Sequence, residues 1–309
     1  MTRPLLVISG PTGSGKSSLA IRLASEFRGE VINCDSLQVY RQFEIGTAKL
    51  PVSERGGIPH HLIDVVDADE SFTAGDFQRL GREALTKISE KGALPIVAGG
   101  TGFYLRALID GLSPGPPREE ALRKRLSARE QRRPGSLHRL LRRLDPVSAG
   151  RIHARDTPKL IRALEVRLIS SQPISIQPPR DRLEGYRVGK LALFPPREQL
   201  YEALEHRCEQ MIACGLIEEV QSLLASGASR TSRPFESLGY KEVLAMLDGQ
   251  MSPLEALEQM KRDTRRYAKR QMTWFRHEPG VHILEGFGTD PVIVEQARKF
   301  AIRLLQASG

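Results

Sequence analysis

Leu5-Leu6-Val7-Ile8-Ser9 is a continuous apolar run, too short for a helix, and reads as a strand buried on both faces. A glycine-rich turn follows it. Beyond the turn, Leu19, Ala20, Leu23, Ala24 and Phe27 recur at helical spacing and predict one apolar helix face. Glu30-Val31-Ile32-Asn33-Cys34 reads as a second strand and His61-Leu62-Ile63-Asp64-Val65-Val66 as a third. A helix from Phe77 to Ser89 and a turn at Gly92 lead into a fourth, Ala93-Leu94-Pro95-Ile96-Val97-Ala98. Strands alternating with helices predict an α/β fold, a parallel sheet flanked by helices.

The alternation stops at Ser113-Pro114-Gly115-Pro116-Pro117, a linker signal. From Arg118 to about Leu168 the pattern is helical and rich in arginine, and Gln172 to Gly185 is polar and proline-rich. Val188 to Phe194 then reads as a returning strand and Arg197 to Leu224 as helix. Tyr240 to Phe275 is helical, interrupted at Gly249-Gln250-Met251-Ser252-Pro253. The expected organisation is an α/β core made of residues 1–112 and 188–309, with a helical insertion at 113–187.

A chain of 309 residues has ample length for such a core, and 40% hydrophobic with 27% charged residues excludes a disordered chain. No apolar run nears the roughly 18 residues of a membrane helix, and the N-terminal stretch is too short for a signal peptide. Cys34, Cys208 and Cys214 form no C-x-x-C pair, which argues against a disulfide framework and fits a reducing cytoplasm. The net charge of +9 is local: 17 basic and 8 acidic residues lie between Ser113 and Gly185, and the rest of the chain holds 29 of each. A positive excess confined to the insertion fits either a solvated helical surface or a polyanionic partner.

Gly10-Pro11-Thr12-Gly13-Ser14-Gly15-Lys16-Ser17 matches G-x-x-x-x-G-K-[ST] in full, between a buried strand and an amphipathic helix. Its backbone N–H groups and the helix N-terminus suit phosphate oxygens, Lys16 offsets their charge, and Ser17 offers a hydroxyl to Mg²⁺. The fold class is therefore P-loop NTPase-like. The loop alone does not name the reaction. There is no N-K-x-D, and the fourth strand runs into Ala98-Gly99-Gly100-Thr101-Gly102 where a metal-binding Asp would sit. The second strand delivers Asp35-Ser36-Leu37-Gln38-Val39-Tyr40, so Asp35 and Thr101 both fall at the carboxyl edge of the sheet, beside the loop. A carboxylate there serves as a helix cap, as an outer Mg²⁺ partner, or as a general base facing the phosphates.

These segments together resemble the tRNA dimethylallyltransferases, also called tRNA isopentenyltransferases, of the bacterial type. The resemblance also takes in Ile45-Gly46-Thr47-Ala48-Lys49, Pro59-His60-His61-Leu62-Ile63-Asp64, Gly99-Gly100-Thr101-Gly102-Phe103-Tyr104, Arg162-Ala163-Leu164-Glu165-Val166, Gly239-Tyr240-Lys241-Glu242 and Lys269-Arg270-Gln271-Met272-Thr273-Trp274-Phe275. It implies transfer of a dimethylallyl group from dimethylallyl diphosphate to N6 of the adenosine 3′ of the anticodon, with Mg²⁺. The cradle would then hold a leaving diphosphate, joined by Arg207 from the segment His206-Arg207-Cys208-Glu209. Asp35 would take the N6 proton. Thr101 would position the base or the bridging oxygen, and Ser36, Leu37 and Gln38 would line the flipped adenine.

The resemblance further assigns RNA contacts to Arg123, Lys124, Lys159, Leu160, Ile161, Arg162 and Ala163 in the insertion, which would close over the anticodon stem-loop. Gly239, Tyr240 and Lys241 are assigned the same role. The chain departs from the family's usual Asn-Asp ahead of this segment, with Ala154-Arg155-Asp156-Thr157-Pro158-Lys159 in its place. The stretch from Lys261 to Arg276, with Tyr267, Trp274 and Phe275, suits RNA binding or core packing, and the His60-His61 pair a structural role. Nothing demands more than a monomer.

Two other readings start from the same loop. One is a P-loop kinase of a nucleotide or small metabolite, which leaves the basic insertion and the Asp35-Ser36 segment without a purpose. The other is a non-catalytic RNA-binding protein that holds ATP, in which no chemistry depends on Asp35.

Overall fold

A computed structural model describes residues 2–113, 115–176 and 180–307. Pro114 of the expected linker and residues 177–179 of the proline-rich stretch lie outside the described residues. Two compact units result. One comprises residues 1–109 and 183–309, the other Asp110–Arg182.

The larger unit is built on six strands among the described residues, all parallel: β1 (Arg3–Ser9), β2 (Gly29–Asn33), β3 (His60–His61), β4 (Leu94–Gly99), β5 (Tyr186–Leu193) and β6 (Val281–Leu284). Their order across the sheet is β3-β2-β4-β1-β5-β6. Helices α1 (Lys16–Glu26), α2 (Ala74–Glu90) and α3 (Gly102–Asp110) intervene between the early strands. Burial explains the unbroken apolar run of β1. Leu5 and Val7 pack into one core with Val97, Phe77 and Leu85, while Leu6 and Ile8 pack into a second with Leu19, Leu23 and Ile96. Alternate side chains of a strand point to opposite faces, so a strand covered twice needs apolar residues at every position.

The smaller unit is helical: α4 (Glu120–Arg132), α5 (Ser136–Leu144), α6 (Pro146–Arg151) and α7 (Thr157–Ser170). Leu126, Leu137, Leu141, Leu160 and Leu164 form its core. Asp145 accepts the Ser148 N–H at 3.0 Å and caps α6, and Asp156 caps α7. The chain then returns through β5 to α8 (Arg197–Ala213), α9 (Leu216–Ala225), α10 (Tyr240–Leu247), α11 (Pro253–Arg276) and α12 (Pro291–Gln306).

Three expectations change. The run 197–224 is two helices, because Gly215 at φ 99° breaks it. The expected strand 61–66 is reduced to His60–His61, since Leu62 (φ 61°) and Asp64 (φ 56°) adopt left-handed backbone that no strand accommodates. What remains of it is a bridge pairing Val66 with Tyr40. Edge strand β6 and helix α12, whose Ile293, Ala297 and Ala301 complete the second core, were not foreseen.

Candidate active site

The ends of β1, β2 and β4 meet at the carboxyl edge of the sheet, where they line a cavity of about 710 Å³ together with α8 and α11. Every lining residue belongs to the larger unit. The turn after β1 folds on itself: the Ser14 hydroxyl donates to the Pro11 carbonyl at 2.8 Å, and Lys16 Nζ donates to the same oxygen at 2.6 Å. Gly13 and Gly15 have φ of 78° and 82°, a region costly for any side chain. A Cβ on Gly15 would also lie 2.9 Å from the backbone nitrogen of Gly288, whose N–H donates to the Ser14 carbonyl at 2.9 Å. Residues that follow β6 thus brace the turn from behind.

Lys16 and Arg207 make the cradle positive. Burial lowers the Lys16 pKa to about 8; the nearby Asp35 carboxylate opposes that fall and the Arg207 guanidinium adds to it. Arg207, from α8, donates to the Thr12 hydroxyl at 3.2 Å, and its pKa too is lowered by burial. Two cations held at a cost in one cavity suit an anion, and the N-terminus of α1 adds its dipole. Ser17 lines the same cavity and is exposed.

Asp35 lines the same cavity. One of its carboxylate oxygens accepts the Leu37 N–H at 2.9 Å, which turns the chain sharply after β2. The next N–H, that of Ser36, donates to the Thr101 hydroxyl oxygen at 3.1 Å, and the Thr101 N–H returns to the Cys34 carbonyl at 3.1 Å. Thr101 therefore ties the β4 exit to the β2 exit. It does not itself line the cavity. Gln38 does, with its amide nitrogen donating to the Thr47 and Ala48 carbonyls at 3.1 and 3.4 Å, so this side chain is clamped by its own loop.

That loop has its own anchor. Lys49, with no exposed side-chain surface, donates to the Tyr40 carbonyl at 2.9 Å, to Glu44 at 2.8 Å and to Asp64 at 2.6 Å. Sequence reasoning did not single out Lys49, because its partners lie in turns with no regular spacing.

Gln271 of α11 was also overlooked as a site residue. Its Oε1 accepts the Thr12 N–H at 2.8 Å and its Nε2 donates to the Gly100 carbonyl at 3.0 Å. Tyr267, one helical turn earlier, lines the cavity, with the Arg270 guanidinium 5.6 Å from its ring centre. Phe275 is buried in the core, and Trp274 is partly buried beneath the Arg106 guanidinium.

Other expected contacts fall elsewhere. Tyr240 is fully buried, its hydroxyl donating to Glu219 and its ring pressed on Gly46, so it has no surface to offer RNA. Gly239 precedes α10 with its N–H donated to Glu242, and only Lys241 of the three reaches the cavity, paired with Asp263 at 2.8 Å. In the helical unit, the side chains of Leu160, Ile161 and Ala163 are buried. They form the apolar stripe by which α7 packs on its neighbours.

Arg123 and Arg162 each donate to the wholly buried Glu165, at 3.0 and 2.7 Å, while the Glu119 N–H takes its other oxygen. Burial works to raise the Glu165 pKa. Its N–H and guanidinium partners outweigh that and hold it below the ordinary value. Lys124 and Lys159 are exposed, Lys159 beside Asp156. His61 bonds Glu30 at 2.6 Å and His60 the Ile58 carbonyl at 2.8 Å, so both histidines serve the sheet edge.

Comparison with known proteins agrees with this geometry. The family model described as IPP transferase matches residues 38–278. A tRNA dimethylallyltransferase from Solibacter usitatus is 56% identical over 95% of this chain and 96% of its own length. One from Koribacter versatilis is 50% identical over 96% and 98%. Among solved structures, the tRNA isopentenylpyrophosphate transferase from Bacillus halodurans superposes with a TM-score of 0.75 at 37% identity, covering 99% of this chain and 98% of that one. A eukaryotic dimethylallyltransferase acting on tRNA gives 0.81 at 29% identity, over 98% of this chain and 79% of its own. With a family model over most of its length and relatives of this identity over nearly all of it, the chain belongs to the IPP transferase family.

Proposed function

We propose that this enzyme transfers the dimethylallyl group of dimethylallyl diphosphate to N6 of the adenosine 3′ of the anticodon in tRNA, releasing diphosphate. The observation that carries the reading is one cavity lined by Thr12, Lys16 and Arg207 together with Asp35, Ser36, Leu37 and Gln38. The volume lies within the usual range for a small-molecule site.

As the C1–O bond of the donor breaks, negative charge grows on the diphosphate. Lys16 and Arg207 line the cavity and offset that charge as it develops. The exocyclic amine is a weak nucleophile. Asp35 accepts a hydrogen bond from one N6 hydrogen and takes that proton as the N6–C1 bond forms; N6 keeps its other hydrogen, and the diphosphate leaves with the bonding pair. Thr101 acts by fixing the Ser36 backbone and so the direction of Asp35. Leaving the anticodon-loop stack costs the adenosine a few kcal/mol at most, less than from a duplex.

The Ser17 hydroxyl, which lines the cavity, is a hard oxygen donor that would help hold Mg²⁺. Bound there, the ion neutralises leaving-group charge. The helical unit supplies the polyanion surface, with exposed Lys124, Lys159, Arg125, Arg129 and Arg132 contributing salt-dependent affinity. Among the described residues no helix is long and apolar enough to cross a membrane. We place the enzyme in the cytoplasm with its tRNA, as a monomer, because the cavity needs residues from one chain only.

The test is mass analysis of nucleosides after incubating tRNA, dimethylallyl diphosphate, Mg²⁺ and protein. A dimethylallyl increment on one adenosine is expected. Transfer of a phosphoryl group from ATP to a metabolite, with the RNA unchanged, would overturn the reading in favour of a kinase.

A further inference from the structure

We infer that Gln271 is a positioning residue that sets the distance between the leaving-group cradle and the base-side wall; this rests on the prenyl-transfer reading above. Two loops must keep a fixed separation for in-line displacement: the turn carrying Thr12 and Lys16, and the β2–β4 exits carrying Asp35 and Thr101. They leave strands whose backbones pair as far as Ser9 and Gly99, and beyond that point the side-chain bonds between them, among the described residues, run through α11.

Gln271 is 6% exposed and its amide is used at both ends. Oε1 holds the Thr12 N–H and Nε2 the Gly100 carbonyl. Thr12 in turn receives the Arg207 guanidinium on its hydroxyl. On the other side, Gly100 adjoins Thr101, whose hydroxyl holds the Ser36 N–H next to Asp35. A single amide therefore closes a chain of contacts from Arg207 to Asp35. A neutral amide is the side chain that fits, because one end must accept and the other must donate. Gly100 makes room for it, since a Cβ there would lie 2.3 Å from Nε2.

Gln271→Met keeps the length and apolar stem and removes both bonds. Gln271→Glu keeps the Thr12 bond but faces the Gly100 carbonyl with another acceptor. Gly100→Ala attacks the same link from the far side by displacing Nε2.

Steady-state and single-turnover prenylation would be measured with tRNA and dimethylallyl diphosphate, alongside tRNA affinity and melting temperature. For Gln271→Met the expected result is a turnover about 100-fold lower, the scale of a misplacement near 1 Å. tRNA affinity should stay within about threefold, because the Gln271 amide is taken up by Thr12 and Gly100. Gln271→Glu should hold its KM for dimethylallyl diphosphate near that of the parent while losing turnover, a split that general loosening does not produce. Gln271→Met and Gly100→Ala should be non-additive, since each breaks the same contact. Wild-type turnover in Gln271→Met, or losses that add in full, would overturn the inference alone. A parent enzyme that fails to prenylate RNA would instead overturn the reading on which it rests.

Discussion

Replacing Lys49 by methionine isolates what the anchor under the base-side loop contributes. Methionine fills nearly the same volume, so no cavity opens, and the change removes only the ammonium. Three bonds go: to the Tyr40 carbonyl, Glu44 and Asp64. Removing one partner of a fully buried ion pair costs about 3–5 kcal/mol, because the survivor is left unsolvated. Here the survivors are half in water, Glu44 at 50% and Asp64 at 41% side-chain exposure, so they rehydrate. The Tyr40 carbonyl loses a buried bond, at about 1–3 kcal/mol.

The loop also carries left-handed Gln42 and Ala48, conformations that persist only while contacts overdetermine them. Together these give about 2–3 kcal/mol, or a melting temperature lower by about 5–10 °C in a unit of this size. Differential scanning calorimetry reads the first effect. The KM for tRNA reads the second, since Gln38 is clamped to Thr47 and Ala48 in the same loop. A Lys49→Met protein that melts within about 1 °C of the parent would refute the reasoning, as would one with lower stability and an unmoved KM.

Three further outcomes are expected. Asp35→Asn retains an oxygen for the Leu37 N–H and should fold and bind tRNA normally, yet lose about 10²–10⁴-fold in turnover, whereas Asp35→Ala should also lose about 1 kcal/mol of stability; an Asn variant within tenfold of the parent would take the carboxylate out of proton transfer. Lys16, whose pKa is lowered to about 8, is charged at pH 7 and mostly neutral at pH 9, so affinity for inorganic diphosphate should fall about tenfold across that interval. In Lys16→Arg, by titration calorimetry, that fall should vanish. In the helical unit, Lys124→Ala with Lys159→Ala should leave the melting temperature alone and make the slope of tRNA affinity against salt shallower by up to about two, while Glu165→Leu should destabilise the unit by stranding two guanidiniums. Glu165 sits below its ordinary pKa in the fold, so the stability it lends is complete above the carboxylate range and drains away on acidification.

Local chemistry made much of this legible in the sequence. The phosphate turn is eight consecutive residues, and its flanking strand and helix declare themselves by continuous and 3.6-residue apolar patterns. Asp35 and Thr101 could be placed together because parallel strands deliver their ends to one edge. What escaped had no local signature. Gln271 meets Thr12 across 259 residues, and an isolated glutamine on a helix carries no mark of its partner. The strand expected at 61–66 had the right composition, but Asp64 is drawn out of register toward Lys49. Leu160, Ile161 and Ala163 sit in a basic segment, and only the packing of α7 separates its inward residues from those that can meet RNA.

The bracing of the phosphate turn bears on how the protein is made. Ser14 and Gly15 emerge from the ribosome early, yet the backbone that supports them, Gly288, and the amide that holds Thr12, Gln271, are translated more than 250 residues later. A nascent chain ending before α11 can assemble most of its sheet and still possess no finished anion cradle. The contacts that complete the turn therefore arrive late in synthesis, and a fragment lacking the final helices has none of the support that Gly288 and Gln271 give it.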